Sequence, residues 1–544
     1  MGCCYMRLSQ KGSLFFLFTG LWIVKKQVWR LLSLSMATPV FKDYFQHQAF
    51  LFPPSLEQLV PVGHPVRIVN EVINTLDLRL LISEYVGGGR SSYHPAMLLK
   101  VVVYGYLTNT YSSRKIEAAI QENIYMMWLS GMQRPDHNTI NRFRSERLKK
   151  TLKGIFVQVV ELLAAQGILG LEEVYVDGTK LEANANKYTF VWGNAIKNNK
   201  EKIKKQLDEL WQYALTVASK EKDLPDPPPF DKIDPQSVKE TVEKIQAIID
   251  DEVKASKQVK QKLNYAAKHW PAALKKYEEQ EKILAGRNSY SKTDPDATFM
   301  RMKEDHMKNG QLKPGYNWQI SSNNQYIVDY SIHQSSTDTT TLEAHLNEHK
   351  EQYGQYPEVV VADAGYGSEQ NYEYMESNDM QGYVKYNYFD KHQHDAYLKK
   401  HPFTADQLHY NKAQDIYYCP MGQPMSKIGT AIKTTAAGYK QTITRYQAAN
   451  CGHCPLNGTC HKSKGNRIIE INHTLNEYKR KATERLTSEK GIYYRKRRPV
   501  DVEPVFGNIK SNHGFRRLML RGKEKVLIEV GLLALAHNLR KKVA

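Results

Sequence analysis

The sequence predicts a mixed α/β fold: a sheet core with large insertions, preceded by an all-helical N-terminal domain. Three observations lead there. Between residues 55 and 165 apolar side chains recur at helical spacing, as in Leu98, Leu99, Val102, Val103, Tyr106 and Leu107. From residue 171 the period shifts to strand-like alternation, and Glu358–Ala362 (EVVVA) is a continuous run of the kind buried on both faces of a sheet. Two stretches, one Lys/Glu-rich and one bearing cysteines, interrupt that pattern.

Composition narrows the class. A chain of 544 residues is too long for one core, and 41% hydrophobic with 10% aromatic residues excludes a mainly disordered protein. A mean hydropathy of −0.57, with no apolar run near the length of a membrane helix after the N-terminus, excludes a multi-span membrane protein. Lys and Arg number 76 against 57 Asp and Glu, a net charge of +19 that favours a polyanionic partner, nucleic acid or an anionic surface.

The elements follow in order. Residues 1–35 read as a misassigned start or an extension: Ser13–Val24 (SLFFLFTGLWIV) lies between lysines but is too short to span a bilayer, and Met36 opens an ordinary cytosolic beginning. Residues 36–165 are the helical domain, with helix starts expected at Ser112 and Asp136. Residues 134–144 (RPDHNTINRFR) read as a turn entering a basic helix. They fit a helix-turn-helix reader using Arg142 and Arg144, or a packing module whose arginines are solvated. Residues 171–183 (LEEVYVDGTKLEA) read as a strand ending in a turn at Asp177-Gly178. Residues 190–290 carry helical apolar spacing (Ile203, Leu207, Leu210, Trp211, then Val242, Ile245, Ile249) around the Pro-rich break at 224–235. A helical hairpin insertion is expected.

Strands are expected at Gly315–Ser321 and Gln325–His333, with a hairpin turn at Ser322–Asn324, then a helix at Thr340–Tyr353. The buried strand Glu358–Ala362, a helix at 369–378 and a strand at Gly382–Tyr388 complete a core assigned to 170–390 and 491–544. A cysteine-containing insertion occupies 391–490.

Asp177 and Asp363 each end an expected strand, and Glu503 opens an expected helix. Carboxylates at the ends of adjacent strands converge at a sheet edge, and hard oxygen ligands suit Mg²⁺ or Mn²⁺. Two such ions about 4 Å apart stabilise attacking and leaving oxygens at a phosphodiester. The plainer reading of an Asp before Gly is a turn residue.

The segments 177–186 (DGTKLEANAN), 293–297 (TDPDA), 361–367 (VADAGYG), 502–510 (VEPVFGNIK), 514–522 (GFRRLMLRG) and 536–541 (AHNLRK) together resemble DDE transposases of bacterial insertion sequences. The resemblance covers residues 40–544. It implies an RNase H-like catalytic core whose acidic triad maps onto Asp177, Asp363 and Glu503, and a helical domain that binds the element's terminal inverted repeats. It also implies DNA cleavage and strand transfer, double-stranded DNA as partner at transposon ends and target, and a homodimer on DNA. No membrane partner is expected, and the place of action is the cytoplasm, at the nucleoid. Two rivals are a hydrolytic nuclease on the same core and a non-catalytic DNA-binding protein derived from a transposase. One departure stands out: the wider group's Tyr-x2-Arg-x3-Glu-x6-Lys keeps its last interval in Glu503 and Lys510, but Pro499 fills the arginine position, with Arg497 and Arg498 just before it. Tyr494 to Arg497 keeps the first interval only.

Seven residues on a helix are two turns, so Glu503 and Lys510 are expected on one face. From Arg495 to Lys525 ten Lys and Arg stand against three acids. Lys510, His513, Arg516, Arg517 and Arg521 in this stretch are the expected DNA contacts, which set affinity and register more than sequence choice.

Cys451-Gly-His-Cys454, Cys460 and Cys419 are the second chemical signal. Four thiolates suit a closed structural zinc site, with His453 and His461 as rival ligands. Redox chemistry at the CxxC pair leaves Cys419 and Cys460 without a role.

Overall fold

The computed structural model describes residues 54–85, 91–217, 233–250, 256–302 and 310–543. The expectations for residues 1–35 and for most of the Pro-rich break lie outside them. From Leu56 onward the chain forms one structural unit.

The N-terminal region is helical, as its spacing predicts: α1 (Pro65–Thr75), α2 (Pro95–Leu107), α3 (Ser113–Glu122), α4 (Ile124–Ser130), α5 (His137–Arg142) and α6 (Leu152–Ala165). Both α1 and α2 start on a His cap followed by proline at the first turn, where the missing N–H is no loss. The expected starts are found: Ser112 precedes α3, and Asp136 caps α5 by accepting from Thr139 N at 2.7 Å. A π-turn, Phe143–Arg147, follows α5.

The sheet is the RNase H-like one. Its strands are β1 (Glu173–Glu182), β2 (Thr298–Arg301), β3 (Leu312–Asn323), β4 (Tyr326–His333), β5 (Val359–Ala362) and β6 (Gln381–Val384). The order is β2-β3-β1-β5-β6, with β4 also on β3. The β3–β1 pairing is antiparallel, and β1–β5 and β5–β6 are parallel. The hairpin between β3 and β4 turns at Asn324-Gln325, one residue later than expected, and both have positive φ (52° and 63°), as a tight two-residue loop requires. All four residues of β5 are buried, matching its unbroken apolar run. Helices α10 (Leu342–Tyr353) and α11 (Glu369–Ser377) flank the sheet.

The first insertion departs from the hairpin expectation. Among the described residues it holds three helices, α7 (Gly193–Val217), α8 (Pro235–Asp250) and α9 (Lys257–Leu284), around a core of its own that includes Leu207, Trp211, Val242, Ile245, Trp270 and Leu274. The expected second arm is divided between α8, which ends at Asp250, and α9, which begins at Lys257, with neither Gly nor Pro in the sequence between them. The second insertion is a small antiparallel sheet that includes β7 (Ile416–Tyr418), β8 (Pro424–Thr434), β9 (Lys440–Ala448) and β10 (Ile468–Ile471). Helices α12 (His473–Thr487), α13 (Glu489–Asp501) and α14 (Glu503–Gly507) return the chain to the core, and α15 (Lys523–Val543) closes it.

The helical region and the sheet share one hydrophobic core, running from Val60 to Leu539. Helix α15 is buried along Val526–Leu539 and packs between β4 and helices α2 and α6. Within the 536–541 motif, fully buried Asn538 accepts from Ile327 N and donates to Ile327 O, each at 2.8 Å, so its side chain completes the ladder of β4. Asn538→Ala leaves a buried donor and a buried acceptor unpaired. The expected loss is about 3 kcal/mol, read as a lower urea midpoint at unchanged slope. The 293–297 motif is also structural: buried Asp294 accepts from Tyr316 Oη at 2.9 Å and from Gly522 N at 3.2 Å.

Among the described residues no helix is long and apolar enough to cross a membrane.

Candidate active site

Asp177 lies within β1, not at its end, because the strand runs on to Glu182. The expected turn at Gly178 is absent. Glycine is needed there for a different reason: a Cβ would sit 2.2 Å from Gln319 Nε2 and 2.7 Å from Asp338 Oδ1. Val176 pairs with Ala362 in the parallel β1–β5 register, so Asp177 is level with Asp363, the first residue after β5. Asp363 caps a 3₁₀ turn, its Oδ1 accepting from Gly365 N at 2.8 Å.

Glu503 arrives from the other side. Helix α13 is seated on the sheet by Tyr494, whose hydroxyl donates to Glu173 Oε1 at 2.9 Å and whose ring packs on Tyr383. Glu503 opens α14, which Phe506 anchors against Trp318 of β3.

The three acids meet at one cation. Arg498 Nη2 is 3.3 Å from Asp177 Oδ1 and 3.8 Å from Asp363 Oδ2, while its Nη1 is 3.5 Å from Glu503 Oε1. The side chain of Asp177 is 9% exposed, against 40% for Asp363 and 57% for Glu503, so the cluster opens to solvent on one side. A cleft of about 200 Å³ adjoins it, lined by Asp363, Glu503, Lys385, Arg495 and Arg498. Beneath it, buried Tyr366 donates to Gln319 Oε1. Burial first, then the negative charges of Asp338, Asp177 and Asp363, hold its hydroxyl well above the usual phenol range, opposed by Arg498.

Sequence reasoning missed Arg498 as the hub, along with Lys385 and Asp338. Arg498 is one of four consecutive bases, with no signal to separate it from its neighbours. Asp338, in the Ser/Thr-rich loop before α10, accepts from Asn317 Nδ2 and Gln319 Nε2 at 2.8 and 3.0 Å. It lies against Gly178, on the face of β1 opposite Asp177.

The expected basic residues divide. Arg144 is corrected outright: it is 3% exposed, and its Nη1 donates to Tyr111 O at 2.7 Å and Tyr106 Oη at 3.1 Å, which places it in the core. Lys510 is not left at the surface. The chain from Asn508 to Asn512 winds as a wider π-turn, and Lys510 is buried with Nζ donating to Lys180 O at 3.2 Å. His513 is half-buried, its carbonyl accepting from Tyr111 Oη, and burial pushes its pKa down. Arg142, Arg516, Arg517 and Arg521 are exposed. Arg517 and Arg521 also hold the carbonyls of Ala183, Ala185 and Asn184 after β1.

Cys419, Cys451, Cys454 and Cys460, with His461, line one small cavity in the second insertion. Backbone N–H groups of Gln423 and Arg467 point at the sulfurs of Cys419 and Cys451 (3.3 and 3.4 Å), and Arg467 Nη1 is 2.9 Å from Cys460 Sγ. Among the described residues, no three His, Cys, Asp or Glu side chains are gathered closely enough to hold a metal ion, here or at the acidic cluster. The zinc expectation is therefore met only as far as the four cysteines sharing a cavity. At the acidic cluster the guanidinium stands between the carboxylates.

Two stretches of the chain match family models. Residues 418–543 match the Transposase DDE domain, and residues 54–146 match the Transposase domain (DUF772). The first includes Glu503 and the four clustered cysteines, while Asp177 and Asp363 precede it. No curated protein and no solved structure matches the chain.

Proposed function

We propose that this chain is a DDE transposase that cuts DNA at the ends of an insertion sequence and joins the freed ends to target DNA. The site would be built from Asp177, Asp363 and Glu503. One observation carries the reading: carboxylates from β1, from the end of β5 and from the start of α14 all lie within ion-pair distance of Arg498. Their hard oxygen donors are of the kind that suits Mg²⁺ or Mn²⁺, which would have to draw the carboxylates closer than they now stand. Such ions, when bound, supply Lewis-acid neutralisation at the phosphorus and at the attacking and leaving oxygens.

The chain's own residues supply the rest. Asp177 and Asp363 are fixed by strand register, so donor positions are set before DNA arrives. Lys385, Arg495 and Arg498 line the adjoining cleft and would face phosphate oxygens. Cleavage is an in-line attack of water on phosphorus: a P–O bond forms, the bond to the 3′ oxygen breaks, and a 3′-hydroxyl leaves. Joining repeats the geometry, with that 3′ oxygen attacking a target phosphodiester and displacing the target's own 3′ oxygen. One site serves both steps because both are displacements at phosphorus.

The helical region would bind the terminal inverted repeats, and Arg142, Arg516, Arg517 and Arg521 are the basic residues exposed for phosphate contact. Both ends must be processed together, which calls for a homodimer on DNA, acting at the nucleoid. The decisive experiment supplies precut transposon ends, target DNA and Mg²⁺. Joined products support the transposase, while hydrolysis without joining would reduce the chain to a nuclease.

The cysteine cavity would take a structural Zn²⁺. Its support is four thiols around one space with backbone N–H groups directed at two of them, in an insertion whose own core is small. Elemental analysis of the purified chain is expected to give one zinc per protomer, lost in Cys451→Ser together with protease resistance of residues 391–490. A zinc-free native chain would overturn this.

A further inference from the structure

We infer that Arg498 is a positioning residue: it holds the three carboxylates together in the cation-free protein and exchanges them for divalent ions, turning to a DNA phosphate. The inference rests on the reading of Asp177, Asp363 and Glu503 as metal ligands.

Three carboxylates on separate elements, facing one point, repel each other unless a positive charge lies between them. Arg498 supplies that charge from α13, an element distinct from β1, which carries Asp177, and from β5, which Asp363 follows. A single planar guanidinium reaches all three acids, two through one nitrogen and the third through the other.

The contacts are those of a placeholder. At 3.3, 3.5 and 3.8 Å, they are all longer than the roughly 2.7–2.9 Å of a charge-assisted hydrogen bond. Arg498 Nε is buried without a hydrogen-bond partner. A fork that sits at its site by charge, not by short directional bonds, yields to a denser cation. Once its carboxylates are occupied, the nearest new partner for the guanidinium is an anion in the adjoining cleft. Lys385 and Arg495 line that cleft as well, so a phosphodiester group there would meet three cations.

The test uses the full chain without DNA. Mn²⁺ binding is titrated by electron paramagnetic resonance, and melting is followed in EDTA and in Mn²⁺. Arg498→Gln is expected to bind Mn²⁺ about tenfold more tightly, because the competing charge is gone. It is also expected to melt several degrees lower in EDTA and to recover in Mn²⁺. Unchanged or weaker Mn²⁺ binding in Arg498→Gln overturns the inference. Arg498→Met, neutral and of similar length, repeats the comparison. If both variants lose the native melting transition even in Mn²⁺, Arg498 is a structural residue and the inference fails. Asp177→Asn separates the two levels: loss of Mn²⁺ binding there upholds the metal reading whatever Arg498 does, while retained binding overturns both.

Discussion

Asp363→Asn is expected to abolish end cleavage and joining, lowering both rates at least a thousandfold, about 4 kcal/mol of lost transition-state stabilisation. Of the three acids, Asp363 gives the cleanest test. Its structural duty is a single cap, Oδ1 accepting from Gly365 N at 2.8 Å, and an asparagine oxygen keeps that bond. The side chain is 40% exposed, so removing its charge leaves no buried group unpaired. The variant should therefore melt close to the native chain and still bind the transposon ends. Asp177, at 9% exposure, offers no such separation, since its loss disturbs the centre of the sheet as well as the chemistry. If Asp363→Asn cleaves and joins within tenfold of the native chain, the site assignment is wrong.

The two aspartates are legible in the sequence because a strand leaves a mark there. The run before Asp363 has no polar break, as a strand covered on both faces must, and the alternation in 174–176 marks β1. The parallel register that sets them level has no such mark, nor does the arrival of Arg498 from a helix more than 300 residues beyond β1. Long-range assembly explains the other gaps. The shared core depends on contacts such as Asn538 with Ile327, which nothing near either residue announces. The three-helix insertion reads as a hairpin because the sequence between α8 and α9 holds neither Gly nor Pro. Lys510 reads as an exposed helical base, and nothing near it announces the π-turn at Asn508–Asn512 or the Lys180 carbonyl that its Nζ reaches.

Arg144 is buried within another π-turn, and its removal should be costly. The turn Phe143–Arg147 directs it inward, where it holds Tyr111 O and Tyr106 Oη. It also faces Glu529 of α15, which is wholly buried and accepts from Met519 N and Leu520 N. Burial raises the Glu529 pKa above its ordinary 4.5, and Arg144 with those two N–H groups opposes the rise. Arg144→Met leaves a buried carboxylate without its counter-charge and the Tyr111 carbonyl without its donor. The expected cost is about 3–5 kcal/mol, a large part of the roughly 5–15 kcal/mol by which a protein is usually stable. The pH dependence has a definite sign. An acid whose folded pKa lies above its unfolded value stabilises fully below the unfolded value, and that contribution is lost as pH rises through the folded one. Without Arg144 the folded pKa climbs further, so the deficit of Arg144→Met is smallest near pH 4.5 and widens toward neutrality. Adding Glu529→Gln removes the charge and should return part of the stability, most of it at neutral pH. Exposed Arg142 supplies the contrast: Arg142→Met should melt like the native chain, and if it contacts phosphate it should reduce the salt dependence of DNA binding by about one ion. A stable Arg144→Met that lost salt-dependent DNA affinity would put the guanidinium back on the DNA-facing surface.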